Sequence, residues 1–212
     1  MNEMGWLWVI LALLMVWAWV YWQKHTRNKH INQKGKQGED LLRQHTERAL
    51  GKRYHAFHDL LIPLYQHTTQ IDHIFVSRYG VFVVETKNYT GWIYGDAQQT
   101  HWTQVLAQQK NRFYNPLKQN DTHIKALAYL LKLPVDKFHS IVVFVGDATL
   151  KTALPDNVLQ GADISGFIRR SRRLLLSQQQ VDAICACLAS PQYRATAAKT
   201  RQHIRHVQGR HP

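Results

Sequence analysis

Residues 70–91 read QIDHIFVSRYGVFVVETKNYTG: an alternating apolar run, a short polar break and a second apolar run, which is the pattern of a buried β-hairpin. Three charges sit inside it, Asp72, Glu85 and Lys87. Alternation along the second strand puts Glu85 and Lys87 on one face with Val81 and Val83, and Phe82, Val84 and Thr86 on the other. With a two-residue turn at Arg78 and Tyr79, Asp72 falls directly opposite Glu85. With a three-residue loop and Gly80 in the left-handed region, the two carboxylates become diagonal neighbours. Opposed carboxylates whose β-carbons are about 5 Å apart repel unless a proton is shared or a cation lies between them. Two readings follow. Lys87 neutralises the acids as an internal ion pair, or a hard divalent ion, Mg2+ with Mn2+ as a substitute, takes both acids and completes its shell with water and phosphate oxygens. In the second reading Lys87 holds or helps to deprotonate an attacking water, or stabilises transition-state charge.

Upstream, residues 35–51, GKQGEDLLRQHTERALG, predict an amphipathic helix that starts at the glycines and ends at Gly51, with Leu41, Leu42, Ala49 and Leu50 as its apolar side. Glu39 lies in its first turn, where a carboxylate meets the positive end of the macrodipole. Residues 54–65, YHAFHDLLIPLY, read as an irregular or edge strand interrupted by Pro63, followed by a polar turn, QHTT, at 66–69. Downstream, residues 115–133 form a helix entered at Asn115 and Pro116, with Ile124, Leu127, Leu130 and Leu131 at helical spacing. SIVVFVGDA, 140–148, is a strand buried on both faces, and residues 162–190 supply one or two closing helices. The order helix, strands, helix, strand, helix predicts an α/β sandwich on a mixed central sheet.

Asp72, twelve intervening residues and then ETK resembles the PD-(D/E)xK nuclease superfamily. The words around it, GKQGE, TTQIDHIFVSRYGVFVVETKNYTGWIYG, Trp102 and NPLKQN, resemble the nuclease-related domain, NERD, in that order over about residues 34–150. The resemblance implies a restriction-endonuclease-like α/β/α core with a mixed central sheet. It also implies that Asp72 and Glu85 bind metal, that Lys87 is the catalytic lysine and that Glu39 is the helix acid completing the site. Gln70 and Gln119 match further polar positions of the family as auxiliary residues. Ile71 stands where the superfamily's name has proline.

Residues 5–22, GWLWVILALLMVWAWVYW, carry no charged side chain and as a helix span roughly 27 Å, close to the hydrocarbon thickness of a bilayer. Trp6 and Trp8 at one end and Trp17, Trp19, Tyr21 and Trp22 at the other supply interfacial belts. A cleaved signal peptide fits less well, because no basic region precedes the run and no small-x-small site follows it. Glu3 is the one charge before the run, whereas Lys24, Arg27, Lys29, Lys34 and Lys36 follow it with no acid before Glu39. The expectation is a single-pass anchor in the inner, cytoplasmic membrane, with the N-terminus outside and the remainder in the cytoplasm.

The domain plan is therefore a transmembrane helix at 5–22, a basic juxtamembrane linker at 23–37, the nuclease-like domain at 38–150, a helical closure at 151–190 and a basic tail at 191–212. Lys and Arg total 27 against 14 Asp and Glu, a net charge of +13, which suits a polyanionic partner. Arg169, Arg170, Arg172 and Arg173 are candidate phosphate-binding residues, with a solvated helix face or anionic lipid as the competing reading. Cys185 and Cys187 lack a second pair to complete a zinc site or a disulfide framework and read as buried small residues. Thirteen histidines lack tight ligand spacing and read mostly as surface or packing residues. The expected function is metal-dependent hydrolysis of DNA phosphodiesters at a membrane. The alternatives are a tethered nucleic-acid-binding module that does not cut, and an adaptor whose basic segments engage lipid.

Overall fold

The computed structural model describes residues 3–65, 67–107, 109–161 and 164–195, with side chains for 13–22 and from residue 37 onward within those ranges. The chain divides into two compact units, Met1–Gln37 and Gly38–Pro212. A single helix, α1 (Glu3–Leu50), has continuous helical backbone. The helix therefore does not start at the glycines, and residues 23–37, read as a linker, are helical. Gly35 and Gly38 each cost a helix only about 1 kcal/mol, which flanking Lys, Gln and Glu tolerate. Among the described residues, no helix is long and apolar enough to cross a membrane. Part of the apolar run at 5–22 lies outside that description, which takes up its side chains at Leu13. From Leu13 to Trp22 the apolar side chains are exposed, and Trp17 and Tyr21 stack at 5.7 Å.

The second unit is α/β with two mixed sheets. Strands β1 (His55–Leu64), β2 (His67–Ser77), β3 (Gly80–Lys87), β7 (Phe138–Phe144) and β9 (Val158–Gln160) form the larger sheet in the order β1-β2-β3-β7-β9. The first three are antiparallel, and β7 and β9 run parallel to β3. Pro63 is tolerated because β1 is an edge strand. The polar stretch expected to turn at 66–69 instead continues β2 from His67, and the chain reverses at Tyr65, whose φ is +51°.

Helices cover both faces of this sheet. On one face, Ile124 and Leu127 of α2 (Pro116–Leu131) and Val181, Ile184 and Leu188 of α4 (Gln178–Leu188) pack on Ile74, Val76, Val81 and Val83. On the other, Leu42 and Leu50 of α1, with Ile164 and with Ile168 of α3 (Ser165–Arg170), pack on Phe75, Phe82, Val84 and Ile141. Leu41, expected on the apolar side of α1, is exposed; Thr46 takes up the buried helix face. Asn115 caps α2 through the Leu117 amide with Pro116 following, as its sequence predicts. Asn120 then fastens α2 to the sheet by donating to the Val83 and Ile141 carbonyls and to Ser140 Oγ. Cys185 and Cys187 are half-buried rather than buried, and desolvation pushes the Cys185 thiol up to about 11.

The smaller sheet, β6-β5-β4-β8, is built from β4 (Gly91–Tyr94), β5 (His101–Leu106), β6 (Gln109–Tyr114) and β8 (Ala148–Leu150). Its inner face buries Ile93 and Trp102 against Phe144 and Val142. Gly91 makes the step from β3 into this sheet at φ +81°, where a β-carbon would run into the Val105 carbonyl.

Two histidines join α1 to the larger sheet. Glu47 Oε1 accepts from His58 Nε2 at 2.7 Å, and His58 Nδ1 lies 2.7 Å from His73 Nδ1. With His58 donating through Nε2, His73 is the donor of the second bond. Its buried Nε2 is then an acceptor without a partner among the described residues. Burial lowers the pKa of both, that of His73 to about 3. A histidine with a depressed folded pKa stabilises above its unfolded value and loses that contribution as pH falls toward the folded one. Chemical denaturation in EDTA should therefore show stability falling below about pH 6.5 by about 1.4 kcal/mol per pH unit for each such proton. His73→Leu should flatten that slope.

Candidate active site

The β2–β3 connection is a two-residue turn, with Ser77 paired to Gly80 and the register running on to His73 opposite Val84. One step further, Asp72 stands across from Glu85 and the backbone ladder gives way to a side-chain bond. The Thr86 amide donates to Asp72 Oδ2 at 2.8 Å. Burial raises the Asp72 carboxyl well above the usual range, and the neighbouring charges of Glu85 and Glu39 raise it further. Glu39, in α1, is near enough for its charge to bear on Asp72.

Glu85 is buried, and both its oxygens are engaged. Oε1 accepts from Lys87 Nζ at 2.6 Å and Oε2 from His123 Nε2 at 3.0 Å. Lys87 also donates to Gln119 Oε1 at 3.1 Å, and His123 Nδ1 lies 2.7 Å from Thr69 Oγ1. Burial alone would raise the Glu85 carboxyl, but Lys87 and His123 hold it at about 2. Burial alone would lower the Lys87 ammonium, but Glu85 pushes it up to about 12. Paired in this way, Lys87 is held cationic and is suited to stabilising anionic charge.

Gln119, expected as an auxiliary residue, meets Lys87 directly. Gln70 does not reach the carboxylates: its amide donates to Asp59 Oδ1 at 3.2 Å. His123 and Thr69 are site residues that the sequence reading did not single out. The available signal was the i, i+4 spacing of Gln119 and His123, which puts them on one face of α2.

The arginines lie elsewhere. The Leu175 and Leu176 amides bond to the Arg78 carbonyl in the hairpin turn, so the segment following Arg172 and Arg173 rests at the far end of β3, roughly 20 Å along the strand from Lys87. Arg169 is turned back onto Ser165, donating to its carbonyl and hydroxyl at 3.4 and 3.0 Å. Lys52, Arg53 and Arg78 line a cavity of about 360 Å³ at the same end. The basic cluster therefore forms a pole of its own and is not a wall of the carboxylate site.

Among the described residues, no three His, Cys, Asp or Glu side chains form a ready cage for a metal ion. The donor set still fits a hard divalent ion, which takes one or two carboxylates and leaves its other positions to water and phosphate. Asp72 and Glu85 are two carboxylates side by side in a partly buried place, and burial first, then the charges of Glu85 and Glu39, raise the Asp72 carboxyl.

Residues 34–145, more than half of the chain, match the family model of the nuclease-related domain. A Bacillus anthracis protein described as uncharacterized is 45% identical over 106 residues, which cover 49% of this chain and 50% of that relative. The chain thus spans about half the length of the curated relative it matches. No solved structure matches it.

Proposed function

The chain belongs to the nuclease-related domain family, and from that premise we propose that it is a membrane-anchored, metal-dependent nuclease hydrolysing DNA phosphodiesters at the cytoplasmic face of the membrane. The observation that carries this reading is the cluster of Asp72, Glu85 and Lys87 at one end of the hairpin, with Gln119 and His123 bonded to it. Asp72 and Glu85 would hold the ion, and Glu39, whose charge bears on Asp72, is the further acid of the family's pattern. When bound, Mg2+ or Mn2+ supplies Lewis-acid polarisation of the phosphoryl group and of an attacking water. Lys87, kept cationic by Glu85 and aimed by Gln119, stabilises charge developing on the phosphate oxygens. His123, braced by Thr69, fixes the Glu85 carboxylate from the side away from Lys87. The site supplies acids and a cation in place of a nucleophilic side chain, so water attacks directly and no covalent intermediate forms.

Membrane anchoring is supported by residues 5–22 and the basic segment after them, and by the exposed Leu13, Trp17 and Trp22 side chains, which a lipid environment would cover. On this reading the chain stays with the membrane pellet on alkaline extraction. Release into the supernatant refutes the anchor.

The decisive experiment incubates the full-length chain in detergent with plasmid, linear duplex and single-stranded DNA, with Mg2+, with Mn2+ or with EDTA. Cleavage confined to the metal-containing reactions and lost in Asp72→Ala supports the reading; equal cleavage by the variant defeats it. One observation favours a second reading, a tethered binding module that does not cut: Glu85 is already satisfied by Lys87 and His123 as an internal ion pair. That module would bind DNA in EDTA and keep its affinity in Glu85→Ala.

A further inference from the structure

The smaller sheet turns one face to the core and the other to solvent, and the nuclease reading makes no use of the outer face. Its pairing fixes which side chains share that face. Trp92 stands opposite Val105, and Val105 opposite Lys110; Tyr94 stands opposite Thr103, and Thr103 opposite Arg112; His101 stands opposite Tyr114. Trp92, Tyr94 and Tyr114 are 50%, 38% and 45% exposed. Lys151 Nζ sits 4.8 Å above the centre of the Trp92 ring. Strands β4, β5, β6 and β8 contain no Asp or Glu. The inner face packs these strands on the core through the fully buried Ile93 and Trp102.

Three large aromatic rings half-exposed on one sheet face, with cations between them, carry a specific chemistry. Aromatic faces stack unpaired bases of any sequence, and interleaved Lys and Arg neutralise the phosphates between those bases. Four-stranded sheets with exposed aromatics stack two or three bases in this way. We propose that the outer face of the smaller sheet is a platform for single-stranded nucleic acid, with bases stacking on Trp92, Tyr94 and Tyr114 and phosphates meeting Lys110, Arg112 and Lys151. Trp92 and Tyr94 are two residues apart on one strand, about 6.7 Å, so adjacent splayed bases can reach both. β4 starts at Gly91, four residues beyond Lys87, so the platform leaves directly from the end of β3 that carries the carboxylates. The choice of nucleic acid as the polymer rests on the nuclease reading; the ring-and-cation geometry does not.

Binding is measured in EDTA, so that cleavage plays no part, by fluorescence anisotropy of labelled oligothymidylate and labelled blunt duplex with the full-length chain in detergent. The expected result is tighter binding of the single strand, weakened roughly 5- to 100-fold by Trp92→Ala and by Tyr94→Ala. Trp92→Phe should restore most of the affinity, because a stacking ring remains. Lys110→Gln and Arg112→Gln should each reduce the slope of log affinity against log salt by about 0.7. Trp92→Ala that keeps its circular dichroism spectrum and binds the oligonucleotide as the parent does overturns the proposal. Added Mg2+ separates this proposal from the nuclease reading: binding through Trp92 without cutting refutes the nuclease, and cutting indifferent to Trp92 refutes the platform.

Discussion

Lys87→Met should lose phosphodiester cleavage by about 10²–10³-fold or more and destabilise the protein by about 3–5 kcal/mol at pH 7. Both effects have one origin. The Glu85 carboxylate is buried, and its Oε1 has Lys87 Nζ at 2.6 Å as its partner. Without that ammonium the charge keeps only His123, and an uncompensated buried charge is among the costliest defects a single substitution can make. The pH dependence follows from the depressed Glu85 pKa of about 2: its stabilising contribution is present above the unfolded carboxylate value and lost as pH falls through 2. Lys87→Met removes the contribution, so its stability should vary less over that acid range than the parent's. The double variant Lys87→Met/Glu85→Gln removes the buried charge altogether. It should recover most of the stability, since Gln can still meet His123, and should remain unable to cut. Denaturation curves and plasmid nicking on the same preparations check both parts. A single variant as stable as the parent refutes the buried-charge account, and a double variant that cuts refutes the catalytic one.

The hairpin was legible because two kinds of sequence information agreed. Apolar alternation identified the strands and their faces, and Asp72, Glu85 and Lys87 interrupted that alternation at positions that a metal site or an internal ion pair explains. The register needed one further fact, the length of the turn, which neighbouring residues left open and the Ser77–Gly80 pair settles. The smaller sheet was illegible for the same physical reason that makes it interesting. Trp92 and Tyr94 point outward, whereas Gln104 and Asn111 pair on the side that faces Ile93, so hydrophobicity does not track burial along these short strands. The contact between His58 and His73 depends on β1 pairing with β2, and a histidine count carries no such information. The arginines from 169 to 173 were identifiable as a cluster, but proximity in sequence does not say which end of a strand a loop returns to. The Arg78 carbonyl decides that.

Asp72→Asn should lose metal-dependent cleavage and yet stabilise the protein in EDTA at pH 7. Asp72 ionises in a partly buried place across from Glu85 and near Glu39, and burial together with these two charges lifts its pKa well above the ordinary value. A carboxyl raised in this way helps folding while protonated, below its unfolded pKa, and works against folding as pH rises through the folded value. The substitution therefore removes a carboxyl whose ionisation burial and these charges oppose. The asparagine carbonyl still accepts from the Thr86 amide, so the hydrogen bond closing the ladder is kept. The expected gain is roughly 1 kcal/mol, about 2–4 °C in Tm for a chain of this size. In the parent, Mg2+ should raise Tm with increasing concentration, since an ion that binds only the folded state stabilises by mass action. Asp72→Asn should lose that response, making the variant more stable than the parent in EDTA and less responsive to the metal. Thermal melts with and without Mg2+ read this directly without any cleavage assay. A variant that melts below the parent in EDTA, or that keeps the full Mg2+ response, shows that the hairpin acids are not a metal site held at the expense of stability.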